Sequence, residues 1–420
     1  MAINRPRGTN DFLPQDTAKW QAVEAMLRGL CQSYGFEEIR TPIFEETELF
    51  VRGVGNTTDI VQKEMYTFTD VGERSLTLRP ENTASACRAY MENKLYGLPQ
   101  PIKLYYIGPM FRYERPQAGR FRQFHQFGIE IFGSNAPSAD AEIIAFAWDF
   151  YNRLGIQNLK LDLNSVGCPH CRPVYREALQ KYFRPRLPEM CGSCQERYER
   201  NPLRLLDCKS EVCQAIGEGA PMIFDYLCGD CAKHFREVEN LLTAAEISFS
   251  INPHMVRGLD YYTKTAFEIS VSGIGAQSAV CGGGRYDGLI EEISGISHPG
   301  VGFALGMERI FSALNAQGDD IEVESPLCAY IISAETTETK AAAFTLTQAL
   351  RAVDITTELD YGEKSFKAQM KAANRLNAEW TIIIGEDEIA KNEAAVKNME
   401  TGEQANISLS QVKKYIMERG

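Results

Sequence analysis

The sequence predicts an α+β protein: a large β-rich body, interrupted by a cysteine-rich insert and followed by a smaller α/β domain. Three observations carry this expectation. β-Patterned runs and separate amphipathic helices occupy residues 1–320, but the β pattern weakens after residue 166 and returns near 261. Eight of the twelve cysteines fall between Cys168 and Cys231. From 326 to 420 strands and helices alternate, which suits a compact unit with a partly parallel sheet. The expected boundaries are therefore a body over 1–320, an insert over 166–245 and a last domain over 326–420. A chain of 420 residues, 44% of them hydrophobic, can bury cores for two or three domains.

The elements follow in order. Trp20, Val23, Met26, Leu27 and Leu30 recur at helical spacing over 15–34, and Gly35 is a stop. Residues 36–44 form a short extended run containing Pro42. A second mixed stretch over 75–79 leads through Pro80-Glu81-Asn82-Thr83 into a helix over 84–90. Strands are expected over 102–107 and 124–132, with a polar, arginine-rich loop between them, then a helix over 140–151 and a strand over 159–163. After the insert come strands over 261–271, 278–281 and 302–305 and a helix over 307–314. An acidic linker starts at Gly318-Asp319-Asp320 and ends near Pro326. The last domain reads as strand 329–332, helix 341–351, strand 356–359, helix 365–376, strand 381–384, strand 406–409 and helix 411–418.

The charge excludes one class of function. At −12, the chain is not a dedicated basic nucleic-acid binder, so any RNA contact must come from local basic patches. No apolar run approaches a membrane span, and the N-terminus lacks the apolar core of a signal peptide. A cytoplasmic enzyme is the expectation. In a reducing compartment, clustered cysteines suggest a metal site more than disulfides.

Two constellations suit phosphate chemistry. Phe111-Arg112-Tyr113-Glu114-Arg115 and Gly119-Arg120-Phe121-Arg122-Gln123-Phe124 place four arginines on one loop between strands. Guanidinium forks grip phosphate oxygens bidentately and stay charged. Taken alone, such a loop also suits a solvated surface. In Gly302-Phe303-Ala304-Leu305-Gly306-Met307-Glu308-Arg309, a strand runs into a helix with an arginine in its first turn. A cation is poorly placed there for the helix dipole, which points to an anion or a base plane as its partner. A packing glycine and a surface arginine are the plainer alternative.

Together these segments resemble motifs 2 and 3 of the class II aminoacyl-tRNA synthetases, and Pro42 stands where that class has its dimer-forming motif 1 proline. Leu78-Arg79-Pro80-Glu81-Asn82-Thr83-Ala84, Arg257-Gly258-Leu259-Asp260-Tyr261-Tyr262 and Gly282-Gly283-Gly284-Arg285-Tyr286-Asp287-Gly288 resemble the histidyl-tRNA synthetases in particular. The resemblance runs through nearly the whole chain in the right order. It implies a class II catalytic core on an antiparallel sheet with flanking helices, and a C-terminal anticodon-binding α/β domain. Asn82 departs from the pattern, standing where the family usually has glycine.

The resemblance also implies roles. Glu81, Thr83 and Gln126 match the grip on the substrate's α-ammonium. Glu130 would accept from the imidazole N–H and the Tyr262 hydroxyl would donate to its other nitrogen, a pairing that rejects side chains lacking both functions. Tyr261, Arg285 and Tyr286 would shape the histidine pocket; a β-turn with a stacked tyrosine is the alternative for the last two. Arg112 and Arg257 would flank the α-phosphate, with Arg257 where related enzymes place a metal ion. Arg120 and Arg309 would meet the rest of ATP, which magnesium accompanies. Arg115 and Gln117 on the motif 2 loop, and Lys364, Lys367 and Lys371 with Arg375 in the last domain, would face tRNA. A solvated basic face is the alternative for that stripe. A homodimer is implied, with part of its interface from residues 15–34 and the following strand.

The insert is the part least typical of the family. Cys168/Cys171, Cys191/Cys194 and Cys228/Cys231 have C-x₂-C spacing, which lets two thiolates share one tetrahedral zinc; Cys208/Cys213 are more widely spaced. Because an insert's ends must emerge close together, Cys168, Cys171, Cys228 and Cys231 are the favoured tetrad. Cys191, Cys194, Cys208 and Cys213 are a second candidate, His170 and His234 are possible substitutes, and reduced structural thiols are the alternative. Two rival functions stand beside the synthetase: a catalytically inactive paralogue regulating histidine biosynthesis, and a zinc-ribbon nucleic-acid binder. The first would have lost the arginines that this chain keeps, and the second leaves most of the chain unexplained.

Overall fold

Alternation of side chains on one sheet organises the larger part of the molecule. The computed structural model describes residues 3–55, 58–116, 119–272, 278–323, 328–362 and 364–419. The chain divides into two units, Met1–Ile321 and Glu322–Gly420, and the division falls in the linker that begins at Gly318.

In the first unit an eight-stranded sheet runs in the spatial order Glu37–Glu38, Ile102–Phe111, Gln123–Phe132, Gly300–Gly306, Ala279–Arg285, Thr263–Val271, Leu159–Ser165, Ser250–Ile251. The six inner strands pair antiparallel, and the two-residue strands at the edges pair parallel. Phe127, Ile129 and Ile131 point to one face, where they meet Val301, Phe303, Leu305, Phe267 and Ile269. Helices Pro14–Tyr34 and Pro137–Arg153 cover that face with Val23, Leu27 and Leu30, and with Ile143, Phe146 and Phe150. The first of these helices starts on proline and stops at Gly35, whose φ of 72° lets the chain reverse. The opposite face carries Gln126, Gly128 and Glu130 on one strand and Gly302, Ala304 and Gly306 on its neighbour. A sheet with one greasy face and one face of glycine and polar groups leaves room above it for a ligand.

The insert is helical rather than irregular. Cys171–Phe183, Gly192–Arg200, Glu211–Gly217 and Gly229–Ala244 are α-helices joined by short 3₁₀ turns. Its own core is small, built on Tyr175, Leu179, Phe183 and Tyr198 and including the buried thiols Cys194, Cys208 and Cys213.

The second unit holds a five-stranded sheet in the order Thr357–Leu359, Ala329–Ser333, Trp380–Ile384, Glu393–Asn398, Gln404–Ser408. The first three strands are parallel and the last two antiparallel. Helix Thr337–Arg351 packs Ala343, Leu346 and Leu350 against it. Two elements here escape the sequence pattern: helix Glu386–Lys391 and strand Glu393–Asn398. Glu-Ala-Ala-Val-Lys-Asn has helix-forming composition, and only pairing with both neighbours holds it extended. No helix among the described residues is long and apolar enough to cross a membrane.

Candidate active site

The polar face of the large sheet supports a cavity of about 200 Å³, lined by Glu81, Thr83, Arg112, Gln126, Arg257, Tyr261, Tyr262 and Tyr286 over a floor of Gly282, Gly302 and Ala304. Strand register brings the floor together, since Gly302 pairs with both Glu130 and Gly284, and Ala304 with both Gly128 and Gly282. Three of these glycines are covered by a functional side chain. A Cβ on Gly302 would collide with the Glu130 carboxylate, on Gly282 with the Arg257 guanidinium, and on Gly128 with the Tyr106 phenol. Only a missing side chain lets those groups lie flat against the strands.

Glu81 sits just before helix Thr83–Glu92. Its carboxylate accepts the N–H groups of Thr83 at 2.7 Å and Ala84 at 2.9 Å, the charge complement of a helix N-terminus. Burial pushes its carboxyl up from the ordinary value. Asn82 has φ −118° and ψ −6°, which any residue adopts, so the replacement of glycine costs the loop nothing in backbone terms. Its Oδ1 accepts from Thr41 Oγ1 at 2.6 Å and Arg79 Nη1 at 3.1 Å. Gln126 Oε1 is buried with no hydrogen-bond partner while its residue lines the cavity, an acceptor awaiting a donor.

Glu130 is fully buried beneath this pocket and does not line it. The Tyr106 hydroxyl donates to one carboxylate oxygen at 3.1 Å and the Tyr286 hydroxyl donates to the other. Burial pushes the Glu130 carboxyl up to about 8, despite the hydrogen bonds from Tyr286, Thr83 and Tyr106 that favour its charged form. Tyr286 thus stands between Glu130 and the cavity. Tyr261 packs beside it, with ring centroids 4.7 Å from Tyr262 and 5.7 Å from Tyr286.

Arg112 donates to the Pro80 carbonyl at 2.8 Å and lies 5.2 Å from the Phe124 ring centroid. Arg257 donates through Nη1 to Glu268 at 2.6 Å, while its Nε is buried without a partner. Arg257 also lines a second cavity of about 550 Å³ that includes Arg120 and Arg309. Arg309 donates to the Ala279 carbonyl at 2.5 Å, and Arg120 pairs with Glu114 at 3.1 Å. The small cavity and the large one share Arg257, Gly258, Gly282 and Ala304 in their walls.

Other expected residues fall elsewhere. Arg285 does not line the cavity, and residues 279–285 form a strand rather than a turn. Its guanidinium is fully buried and donates to Asp140, to Asp287 at 3.0 Å and to the Ser134 carbonyl at 2.8 Å. It ties the sheet to the start of helix Pro137–Arg153. Asp140 also hydrogen-bonds His234 at 3.1 Å, so that imidazole is committed away from the thiols. His170 does not join either thiol cluster, each of which consists of four cysteines alone. Arg115 is exposed on the loop, and Gln117 lies outside the described residues. In the second unit Lys367, Lys371 and Arg375 are exposed along helix Phe366–Arg375, opposite buried Gln369 and Ala373. Lys364 precedes the helix and pairs with Asp360 at 2.8 Å, so it is not part of the helical stripe. Sequence reasoning missed Tyr106, whose hydroxyl meets Glu130; the alternation of Tyr106 with core residue Tyr105 was the available signal. It also missed Asn201 and Arg204 of the insert, which bond to the Arg257–Asp260 loop and carry no pattern that would mark them.

Comparison with known proteins decides the family. The histidyl-tRNA synthetase profile matches residues 8–310, and an anticodon-binding domain profile matches residues 328–419. The chain belongs to the histidyl-tRNA synthetase family. It is 57% identical over 419 residues to a histidine–tRNA ligase of Desulforamulus reducens, covering 100% of both chains. It is 57% identical over 413 residues to one from Desulforudis audaxviator, covering 98% of each. The structure of the apo S. aureus histidyl-tRNA synthetase superposes with a TM-score of 0.85 at 42% identity, covering 99% of this chain and 100% of that one. The expected class II fold with its C-terminal anticodon-binding domain is thereby established.

Proposed function

We propose that this chain activates histidine with ATP to form histidyl-adenylate and then transfers histidine to the 3′ end of its tRNA. One observation carries the reading most directly: two cavities share Arg257, one small and lined by carboxylate, amide and tyrosine groups, the other large and lined by arginines. Glu81, Thr83 and the unpartnered Gln126 oxygen would hold the α-ammonium. Tyr262 and Glu130 would read the imidazole, with Tyr286 yielding its hydrogen bond so that Glu130 can be reached. Arg112 and Arg257 would hold the α-phosphate from two sides while the histidine carboxylate attacks and pyrophosphate leaves. No protein nucleophile is needed; orientation and fixed positive charge supply the rate. Arg120 and Arg309 would hold the remaining phosphates and the adenine.

Magnesium would accompany the triphosphate. Glu64 and Glu114 line the cavity that also contains Arg112 and Arg120. Burial, then the neighbouring Glu114 charge, pushes the Glu64 carboxyl up. Two crowded carboxylates are oxygen donors of the kind a hard divalent cation takes. The tRNA would meet Arg115 and Gln117 at one end and Lys367, Lys371 and Arg375 at the other, with Lys364 contributing only if Asp360 releases it. A homodimer is supported by exposed apolar residues beside Pro42, namely Ile43, Phe44 and Phe68. The site of action would be the cytoplasm. The outer tetrad Cys168, Cys171, Cys228 and Cys231 would hold a structural zinc that closes the base of the insert.

The test is histidine-dependent exchange of pyrophosphate into ATP, followed by charging of tRNA. Exchange with histidine alone among the amino acids is expected. A regulatory paralogue would show none, which would overturn the reading.

A further inference from the structure

The insert contains two clusters of four thiols, in each of which all four sulfurs lie within 4.8 Å of one another. A zinc–sulfur bond of about 2.3 Å places the sulfurs of a regular tetrahedron about 3.8 Å apart. The outer cluster has Cys168–Cys171 at 3.6 Å and Cys168–Cys228 at 3.8 Å, and the inner has Cys191–Cys208 at 3.7 Å. A disulfide would hold its sulfurs at about 2.05 Å, and all of these cysteines are free thiols. In both clusters a backbone N–H also points at a sulfur, Cys228 N–H to Cys171 Sγ at 3.1 Å and Cys191 N–H to Cys213 Sγ at 3.3 Å. Such donors aimed at sulfur are of the kind that orient metal-bound cysteines.

The inner cluster is tied to the nucleotide side of the active site. Cys194 stands in the first turn of helix Gly192–Arg200, and the chain returns to the cluster at Cys208. Between them Asn201 donates to Asp260 at 2.9 Å, and Arg204 donates to the carbonyl of Arg257 at 2.8 Å. The same segment runs on through Leu206, Asp207, Cys208 and Lys209, which form one wall of the cavity containing Arg120, Arg257 and Arg309. A cluster member is thus itself a wall residue of that cavity. Cys194, Cys208 and Cys213 are buried within the insert's own apolar core.

We propose that Cys191, Cys194, Cys208 and Cys213 hold a second zinc ion, distinct from that of the outer tetrad, and that this ion sets the wall of the ATP cavity and the carriage of Arg257. The ion takes no part in the chemistry; it fixes both ends of the Cys194–Cys208 segment, whose middle braces the Arg257 loop. The outer tetrad is connected differently: Arg172, next to Cys171, donates to the Tyr262 carbonyl, on the histidine side. The coupling to ATP rests on the reading of the larger cavity as the nucleotide site, whereas the metal content does not.

The experiment measures metal by mass spectrometry in purified full-length protein, with Michaelis constants for both substrates. About two zinc ions per chain are expected. Cys194→Ser should leave about one and raise the ATP Michaelis constant about tenfold, with the histidine constant near wild type. Cys194→His, which restores a zinc ligand, should recover both metal and ATP affinity. Cys231→Ser should lose the other ion and leave the ATP constant near wild type. If Cys194→Ser fails to fold, stepwise chelation of the wild type replaces it, and ATP binding should fall with loss of one of the two ions. Wild-type protein with one zinc or none would overturn the second site. Loss of the inner ion without any change in ATP affinity would overturn the coupling. Zinc-replete protein lacking histidine-dependent exchange would overturn the nucleotide reading instead.

Discussion

On the large sheet, Gln126 and Glu130 owe their positions to register, because side chains two apart on a strand share a face and Phe127, Ile129 and Ile131 are locked into the core on the other. In the insert, Asn201 and Arg204 also reach the site, but they stand where helix Gly192–Arg200 passes into the 3₁₀ turn Pro202–Leu205, outside any sheet. The sheet residues cannot shift without turning over a strand. The insert residues can shift whenever the thiols at the segment's ends let go. A site can therefore draw its chemistry from a rigid floor and its enclosure from a part that is separately controlled, and the two should respond differently to substitution.

Arg257 gives the largest expected effect because the two regions meet there: its guanidinium lies on Gly282 of the sheet and its carbonyl is held by Arg204 of the insert. In the proposed role its charge would be most useful once negative charge builds at the α-phosphorus, so it should matter more in the transition state than in binding. Arg257→His should slow adenylate formation about 100- to 1,000-fold, with both Michaelis constants changed only slightly. Transfer from preformed adenylate should suffer less. Equal losses in both single-turnover steps, tracking a lower melting temperature, would make Arg257 a brace between the regions.

A smaller effect tests the sheet side alone. Tyr262 lines the small cavity, and its backbone carbonyl receives Arg172 of the insert. Tyr262→Phe keeps the backbone contact and removes the hydroxyl, so it should weaken histidine by about 1–3 kcal/mol and leave ATP unaffected. Steady-state kinetics with each substrate varied would show it. An equal loss for ATP would mean that the two cavities are not separable in the way the geometry indicates.

Much of the sheet was legible before the structure, and the reasons are specific. Residues 124–132 alternate cleanly, and the extended run is Gln123–Phe132. The glycines at 282–284 sit mid-strand with Arg257 laid across one of them, which the run of glycines alone does not reveal. Arg285 was misplaced for a physical reason. It follows the glycines in sequence, but a register shift between Gly284 and Arg285 and the buried acceptors Asp140 and Asp287 draw it away from the cavity. Glu130 is implied only by the family resemblance, and its shielding by Tyr106 and Tyr286 depends on side chains 24 and 156 positions away. The insert was legible only as cysteine spacing. Its two longer helices, Cys171–Phe183 and Gly229–Ala244, carry buried residues at helical spacing among many polar ones, and the contacts of Asn201 and Arg204 depend on tertiary placement that no local pattern marks.

The third expected effect concerns Glu130 and needs no substrate. Its carboxyl is pushed up to about 8, chiefly by burial, from an ordinary value of 4.5. The folded protein therefore holds this proton more tightly than the unfolded chain does. Between those two values the folded state carries more protons, so stability must fall as pH rises through that window, with the full cost present above the upper value. Glu81, which faces the same pocket, is shifted up by burial as well and contributes in the same direction. Glu130→Gln keeps the shape and most of the hydrogen bonding of the side chain while removing its titration. Calorimetric melting from about pH 5 to pH 9 should then show a shallower decline for the variant than for the wild type. A wild-type slope in Glu130→Gln would mean that the carboxylate is ionised in the folded protein at neutral pH. The sheet's floor would then already carry the charge that an imidazole N–H needs, and the tyrosines would be donors to an anion rather than covers over a neutral acid.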